Sequence, residues 1–201
     1  MRTIILSCAH GLEVAGKQSP NGTKEAVRSR RIQYAIADIL ERKGVNVVLI
    51  PERGNMTEIG LWKRVEIENT IPEPAFVFSL HMNAAGSGTV WKQARGIEIW
   101  TSIGQTKSDT FATLIYESLQ RALPKINGNF PLSMFWRKDT SDGDVDKECN
   151  FTELMSKHPA ALLELLFQDN EEDVALLDSP EFELTIIETL ADVLYEIALT
   201  T

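Results

Sequence analysis

Four short apolar runs recur along the chain: "TIILSC" (3–8), "VNVVLI" (45–50), "AFVFSL" (75–80) and "AALLELLF" (160–167). Stretches with helical periodicity separate them, and this alternation narrows the fold more than any other feature. Strands that read as nearly continuous apolar runs are covered on both faces, and helices between them supply the cover. A helix is expected from near Thr23 to Lys43, with Val27, Ile32, Ala35, Ile36, Ile39 and Leu40 on one face and Gly44 as its stop. A short helix follows around residues 57–70. "GIEIWTS" (96–102) alternates as a strand does, and Thr106 or Ser108 caps a helix carrying Phe111, Leu114, Ile115 and Leu119. "FTELM" (151–155) fits a strand or a short helix. Ser179-Pro180 opens a final helix whose buried face carries Phe182, Ile186, Ile187, Leu190, Leu194 and Ile197. The expected fold is α/β: a single three-layer domain over residues 1–201, with a mixed, mostly parallel sheet flanked by helices. No internal repeat or linker is visible.

Charge excludes one class of partner. Twenty Lys and Arg against 29 Asp and Glu give a net charge of -9, whereas nucleic-acid binding needs clustered cations. No apolar run approaches the roughly 18–20 residues that span a bilayer, so membrane insertion is not expected. Met1-Arg2-Thr3 precedes only three strongly apolar residues, too few for a signal peptide, and synthesis in the cytoplasm is the expectation. Cys8 and Cys149 do not make a disulfide framework. Residues 124–150 read as irregular, with "DTSDGDVDKE" as a charged turn-rich loop that is either solvated or a lip touching substrate.

The chain has three histidines, and two of them, His10 and His81, stand at strand ends beside small-residue loops. Ligands of open α/β sheets bind beyond the carboxyl ends of the strands. A catalytic zinc takes three N or O protein ligands and keeps a position for water. Glu25, in the first turn of the helix that follows His10, fits as the third ligand, and it fits equally as a complement to the helix dipole. Glu164 interrupts the run "AALLELLF", and a carboxylate there is costly to bury unless paired. Alternation turns it away from Leu163 and Leu165, either into a site as a general base of raised pKa or towards solvent on an edge strand. His158, before Pro159, reads as structural. Cys8 falls on the same side of its strand as His10, so a thiolate ligand is conceivable, although a buried thiol is the commoner state. On pattern alone these features point to metal-assisted hydrolysis and no further.

Taken in order, four segments resemble the zinc-dependent N-acetylmuramoyl-L-alanine amidases of the Amidase_3 family. "ILSCAHG" looks like the family's first strand with its His-Gly, and "NGTKEAVRSRRIQYAIADIL" like its Glu-bearing helix. "FVFSLHMNAA" is similar to its Ser-x-His-x-Asn segment, and "HPAALLELLFQDNEED" to its Pro-Ala-x-Leu-x-Glu-x-x-Phe-x-x-Asn stretch. The resemblance implies zinc held by His10, Glu25 and His81, Glu164 as the catalytic carboxylate, and a mixed sheet flanked by helices. It implies hydrolysis of the amide joining the lactyl group of N-acetylmuramic acid to L-alanine, with peptidoglycan or muropeptides as substrate. Asn83 would share the strand-end face of His81 and hydrogen-bond substrate or a ligand, or serve its own loop.

The chain departs from the family pattern at "HGLE", where a second Gly usually follows, and in the long charged segment 124–150. With neither an evident secretion signal nor a wall-binding module, it looks like a phage-type or prophage-type lysin that reaches the wall after release, or an enzyme of recovered wall fragments. Two rivals remain at this stage: another zinc amidohydrolase, such as a carboxypeptidase, and a non-catalytic peptidoglycan-binding relative.

Overall fold

The computed structural model describes residues 1–123, 136–139, 141 and 143–200. Strands β1 (Thr3–Cys8), β2 (Val47–Ile50), β3 (Ala75–Asn83), β4 (Glu98–Thr101), β5 (Lys147–Glu148) and β6 (Ala160–Phe167) form one sheet in the order β2-β1-β3-β6-β4-β5. Every pairing is parallel except β4 with β6. Helices α1 (Glu25–Arg42), α2 (Leu61–Glu68), α3 (Lys107–Ala122), α4 (Glu171–Leu177) and α5 (Pro180–Leu199) flank it. The expected mostly parallel sheet between helices is therefore present.

Two apolar layers hold the sheet. On one face Ile4, Leu6, Phe76, Phe78 and Leu163 pack against Ile32, Ile36 and Leu40 of α1, Ile115 of α3, and Ile186, Leu190 and Leu194 of α5. The other face is thinner: Ile5, Val77, Ala160 and Leu162 meet Leu154 and, at the margin, Ile67 of α2. Burial on both faces explains why the central strands lack polar alternation. Residues 152–154 of "FTELM" form a 3₁₀ turn, the helical alternative, on this thinner side.

Several boundaries differ from the expected ones for physical reasons. α1 starts at Glu25, with Lys24 as an N-cap that makes no side-chain hydrogen bond. Val27 is exposed, because the buried side of the helix's first half is polar and belongs to Arg28, Ser29, Arg30 and Gln33. Those side chains answer the carbonyls at the strand ends: Gln33 donates to the Ser7 carbonyl, Arg30 to that of Ala9 and Ser29 to that of Leu80. Thr106 caps α3 in a reciprocal box with Asp109, and Ser179 caps α5. Of the segment 124–150, residues 124–135, 140 and 142 lie outside the described residues. The rest is not wholly solvated, since Asp146 is buried and accepts from Thr101, and Lys147 joins the sheet. Among the described residues no helix is long and apolar enough to cross a membrane.

Candidate active site

β1, β3 and β6 are neighbours at the middle of the sheet and run parallel, so their carboxyl ends open on one edge. His10 lies two residues past β1, and His81 lies within the last turn of pleat of β3. α1 returns to the same edge and delivers Glu25 in its first turn. The three side chains converge: one ligand atom from each lies within 4.8 Å of the others, and among the described residues no other such group of His, Cys, Asp or Glu forms. Glu25 Oε1 is 3.1 Å from His81 Nδ1 and 3.9 Å from His10 Nε2. The two imidazoles meet edge to face at 5.1 Å. His10 reaches this position with φ of 32°, a region non-glycine residues seldom occupy outside functional sites. Gly11 follows because nothing larger fits: a Cβ there would lie 2.2 Å from the Glu58 amide nitrogen.

Glu164 is the register partner of His81 on the adjacent strand. β6 lies between β3 and β4, so the edge-strand alternative for this carboxylate does not hold. Glu164 Oε2 is buried and has no hydrogen-bond partner among the described residues. Burial pushes its carboxyl up to about 8, the nearby Glu25 and Glu98 charges adding to the effect while His81 opposes it. The side chain stands on a wall shared by two cavities. One, of about 320 Å³, also borders Glu25, His81 and Lys17. The other, of about 430 Å³, runs towards Glu98 and Trp100. Asn83 borders both. It does so because a β-bulge between His81 and Asn83 shifts its register partner to Phe167.

The family model for N-acetylmuramoyl-L-alanine amidase, Amidase_3, matches residues 4–195. The chain belongs to this family. It is an enzyme of that kind, acting on peptidoglycan. Solved structures with the same fold include the N-acetylmuramoyl-L-alanine amidase from Clostridium difficile 630, at 22% identity and a TM-score of 0.77, covering 97% of this chain and 95% of that one. The amidase AmiC2 of Nostoc punctiforme gives 21% identity and a TM-score of 0.75, with 98% and 96% covered. The apo form of Ami1 from Mycobacterium abscessus gives 20% and 0.74, with 99% of each chain covered. No curated protein sequence matches the chain.

The amidase braces its two histidines with groups that sequence patterns do not single out. His81 Nε2 lies 3.1 Å from Glu153 Oε1, and His10 Nδ1 lies 3.9 Å from Glu58 Oε2. Both carboxylates meet one buried guanidinium: Arg64 Nη2 is 3.3 Å from Glu58 and Nη1 is 3.9 Å from Glu153. Arg64 also donates to the carbonyls of Cys8 and Ile59. Glu25 is fixed from the other side by Gln168 Nε2 at 2.8 Å and the Met82 amide at 3.2 Å. Burial lowers the His10 pKa to about 4, against the pull of Glu25, so its imidazole is neutral at pH 7. At His81 burial also acts downward, but Glu153 and Glu25 on either side raise the pKa well above its usual value. Burial would raise Glu153, yet His81 and Arg64 hold it down at about 2.

The remaining candidates sort themselves by position. Cys8 points to Gln33, and burial pushes its thiol up to about 12, which removes it as a thiolate ligand. Both cysteines are free thiols. His158 is buried at the opposite end of β6, where Nε2 donates to the Glu68 carbonyl at 3.1 Å. Glu68 itself is fully buried, with the Ser156 hydroxyl and the Arg64 charge nearby. Burial, reinforced by the Glu153 charge, raises its carboxyl from 4.5 to about 7. The folded protein therefore holds a proton that the unfolded chain releases near pH 4.5. Stability falls as pH rises through that window, by about 3 kcal/mol at full effect. Glu68→Gln is expected to flatten this slope, which urea unfolding at about pH 5 and about pH 7.5 measures. A variant whose stability still declines in parallel with the parent would place the proton elsewhere.

Proposed function

We propose that the amidase is zinc-dependent, with the ion held by His10, Glu25 and His81, and that Glu164 carries the proton in hydrolysis of the amide between N-acetylmuramic acid and L-alanine. The observation that carries this reading is the convergence of two imidazoles and a carboxylate beside a carboxyl group that has one buried oxygen without a partner among the described residues. Two nitrogens and one oxygen form a donor set suited to zinc with a position left open. His81 donates Nε2–H to Glu153, which leaves Nδ1 as its ligating atom, whereas Glu58 lies at 3.9 Å from Nδ1 of His10, outside hydrogen-bond range. A zinc ion bound there would lower the pKa of water and polarise the scissile carbonyl.

The chain's own groups do the rest. Glu164 accepts a proton from the attacking water and returns it to the leaving amine nitrogen, so one carboxyl serves as base and then acid. Its raised affinity for a proton suits both halves of that task. Asn83 serves its own loop by accepting from the Ala84 amide at 2.8 Å through Oδ1, and since it borders both cavities its side-chain amide group is placed to hydrogen-bond the substrate as well. Residues 1–201 act in this reading as one catalytic domain. Mass spectrometry of peptidoglycan and soluble muropeptides, with and without a chelator, tests it. The expected product is an intact stem peptide beginning with L-alanine, released only without chelator. A peptide shortened from its other end would indicate a carboxypeptidase, and bound zinc with no product would indicate a binding relative.

A further inference from the structure

We propose that the groove beyond Glu164 is a subsite for the leaving peptide and that Arg137 and Lys147 select a carboxylate-bearing residue there. The inference rests on the reaction proposed above for its direction. If Glu164 protonates the leaving amine, the amine and the peptide behind it lie on the side of Glu164 away from His10 and Glu25. That side is the larger cavity, bordered by Glu98, Trp100, Arg137, Lys147 and Phe151.

Its two cations converge on one carboxylate. Glu98 is 3% exposed. One of its oxygens, Oε1, takes both Arg137 Nε and, at 3.1 Å, Lys147 Nζ, while Oε2 accepts from Trp100 Nε1 at 3.2 Å. The cavity's other carboxyl group, Glu164, forms no ion pair with either cation among the described residues, so a single buried carboxylate is shared by two cations. The Arg137 side chain remains 42% exposed, its guanidinium resting 5.3 Å over the Phe167 ring. Trp100 and Phe151, with rings 5.1 Å apart, supply an apolar wall for a peptide backbone. The site thus offers a planar cation and an ammonium over a flat apolar surface, the chemistry that recognises an acid on an extended peptide. In a muropeptide the residue after L-alanine is a γ-linked D-glutamate, whose α-carboxyl group is free or amidated.

The test compares L-alanyl-γ-D-glutamyl-L-alaninamide with its α-amide as ligands of the zinc-loaded protein, by calorimetry, so that the α-carboxyl is the only carboxyl group in play. The acid is expected to bind about tenfold more tightly than the amide. Arg137→Gln, and separately Lys147→Gln, should bring the ratio to within about twofold. Equal binding of the two peptides to the parent, absence of binding by either, or an unchanged ratio in both variants would overturn the subsite. Muropeptide turnover measured in parallel separates this from the reaction itself. A tenfold preference with no amide cleavage leaves the subsite standing and removes the proposed hydrolysis.

Discussion

Glu164→Ala is expected to lower kcat on a muropeptide by about 10²–10⁴-fold, the usual contribution of a positioned acid–base group, while the protein still takes up a full equivalent of zinc. The two halves of that expectation have separate causes. Turnover falls because no other carboxyl among the described residues borders both cavities, so the water's proton and the leaving amine lose their common carrier. Zinc stays because His10, Glu25 and His81 are fixed by Glu58, Gln168 and Glu153 rather than by Glu164. Folding is spared as well. Oε2 has no hydrogen-bond partner to orphan, and removing a buried carboxyl recovers its desolvation cost. Metal analysis, thermal unfolding and single-turnover kinetics on the same preparation decide the matter. Loss of metal and fold together would make Glu164 a structural residue.

His81→Ala is expected to do the opposite, abolishing stoichiometric zinc and with it activity. Outer-shell changes at zinc sites cost about 10–100-fold in affinity, and the loss of a ligand should exceed that range. A second cost falls on the protein without metal. His81 sits between Glu25 and Glu153, 3.1 Å from each, and its removal leaves two buried carboxylates facing an empty space. Breaking a buried ion pair on one side costs about 3–5 kcal/mol, so a lowered Tm should accompany zinc loss. Protonating the stranded carboxylates should restore part of that stability at low pH. A variant that retains a full equivalent of zinc would remove His81 from the ligand set.

The sequence exposed the scaffold and the converging side chains far better than what braces them. β1, β3 and β6 were legible because strands buried on both faces must be apolar throughout, and His10, His81 and Glu164 stood out as polar interruptions at or near their ends. Glu25 was legible only from its place in the first turn of α1. Arg64 was not, since "LWKRVEIE" reads as an ordinary amphipathic helix and nothing local says that its arginine is fully buried. Glu153 sits in a short 3₁₀ turn and Gln168 just past β6, with partners 72 and 143 residues away. Val27 shows the converse error: helical periodicity assigned it to the core, but the carbonyls at the ends of β1 and β3 required a polar helix face instead. Such long-range pairings leave no periodic trace.

The strand order carries a consequence for how the enzyme comes into being. All three residues proposed as ligands belong to the first 83 positions, on β1, α1 and β3 or immediately beside them. The carboxyl group that would complete the chemistry arrives on β6, which enters the sheet between β3 and β4, two strands made earlier. As the polypeptide emerges from the ribosome, the three residues proposed to hold the ion are made first and the proposed proton carrier much later. In the proposed reading, hydrolytic competence therefore waits for the insertion of one late strand.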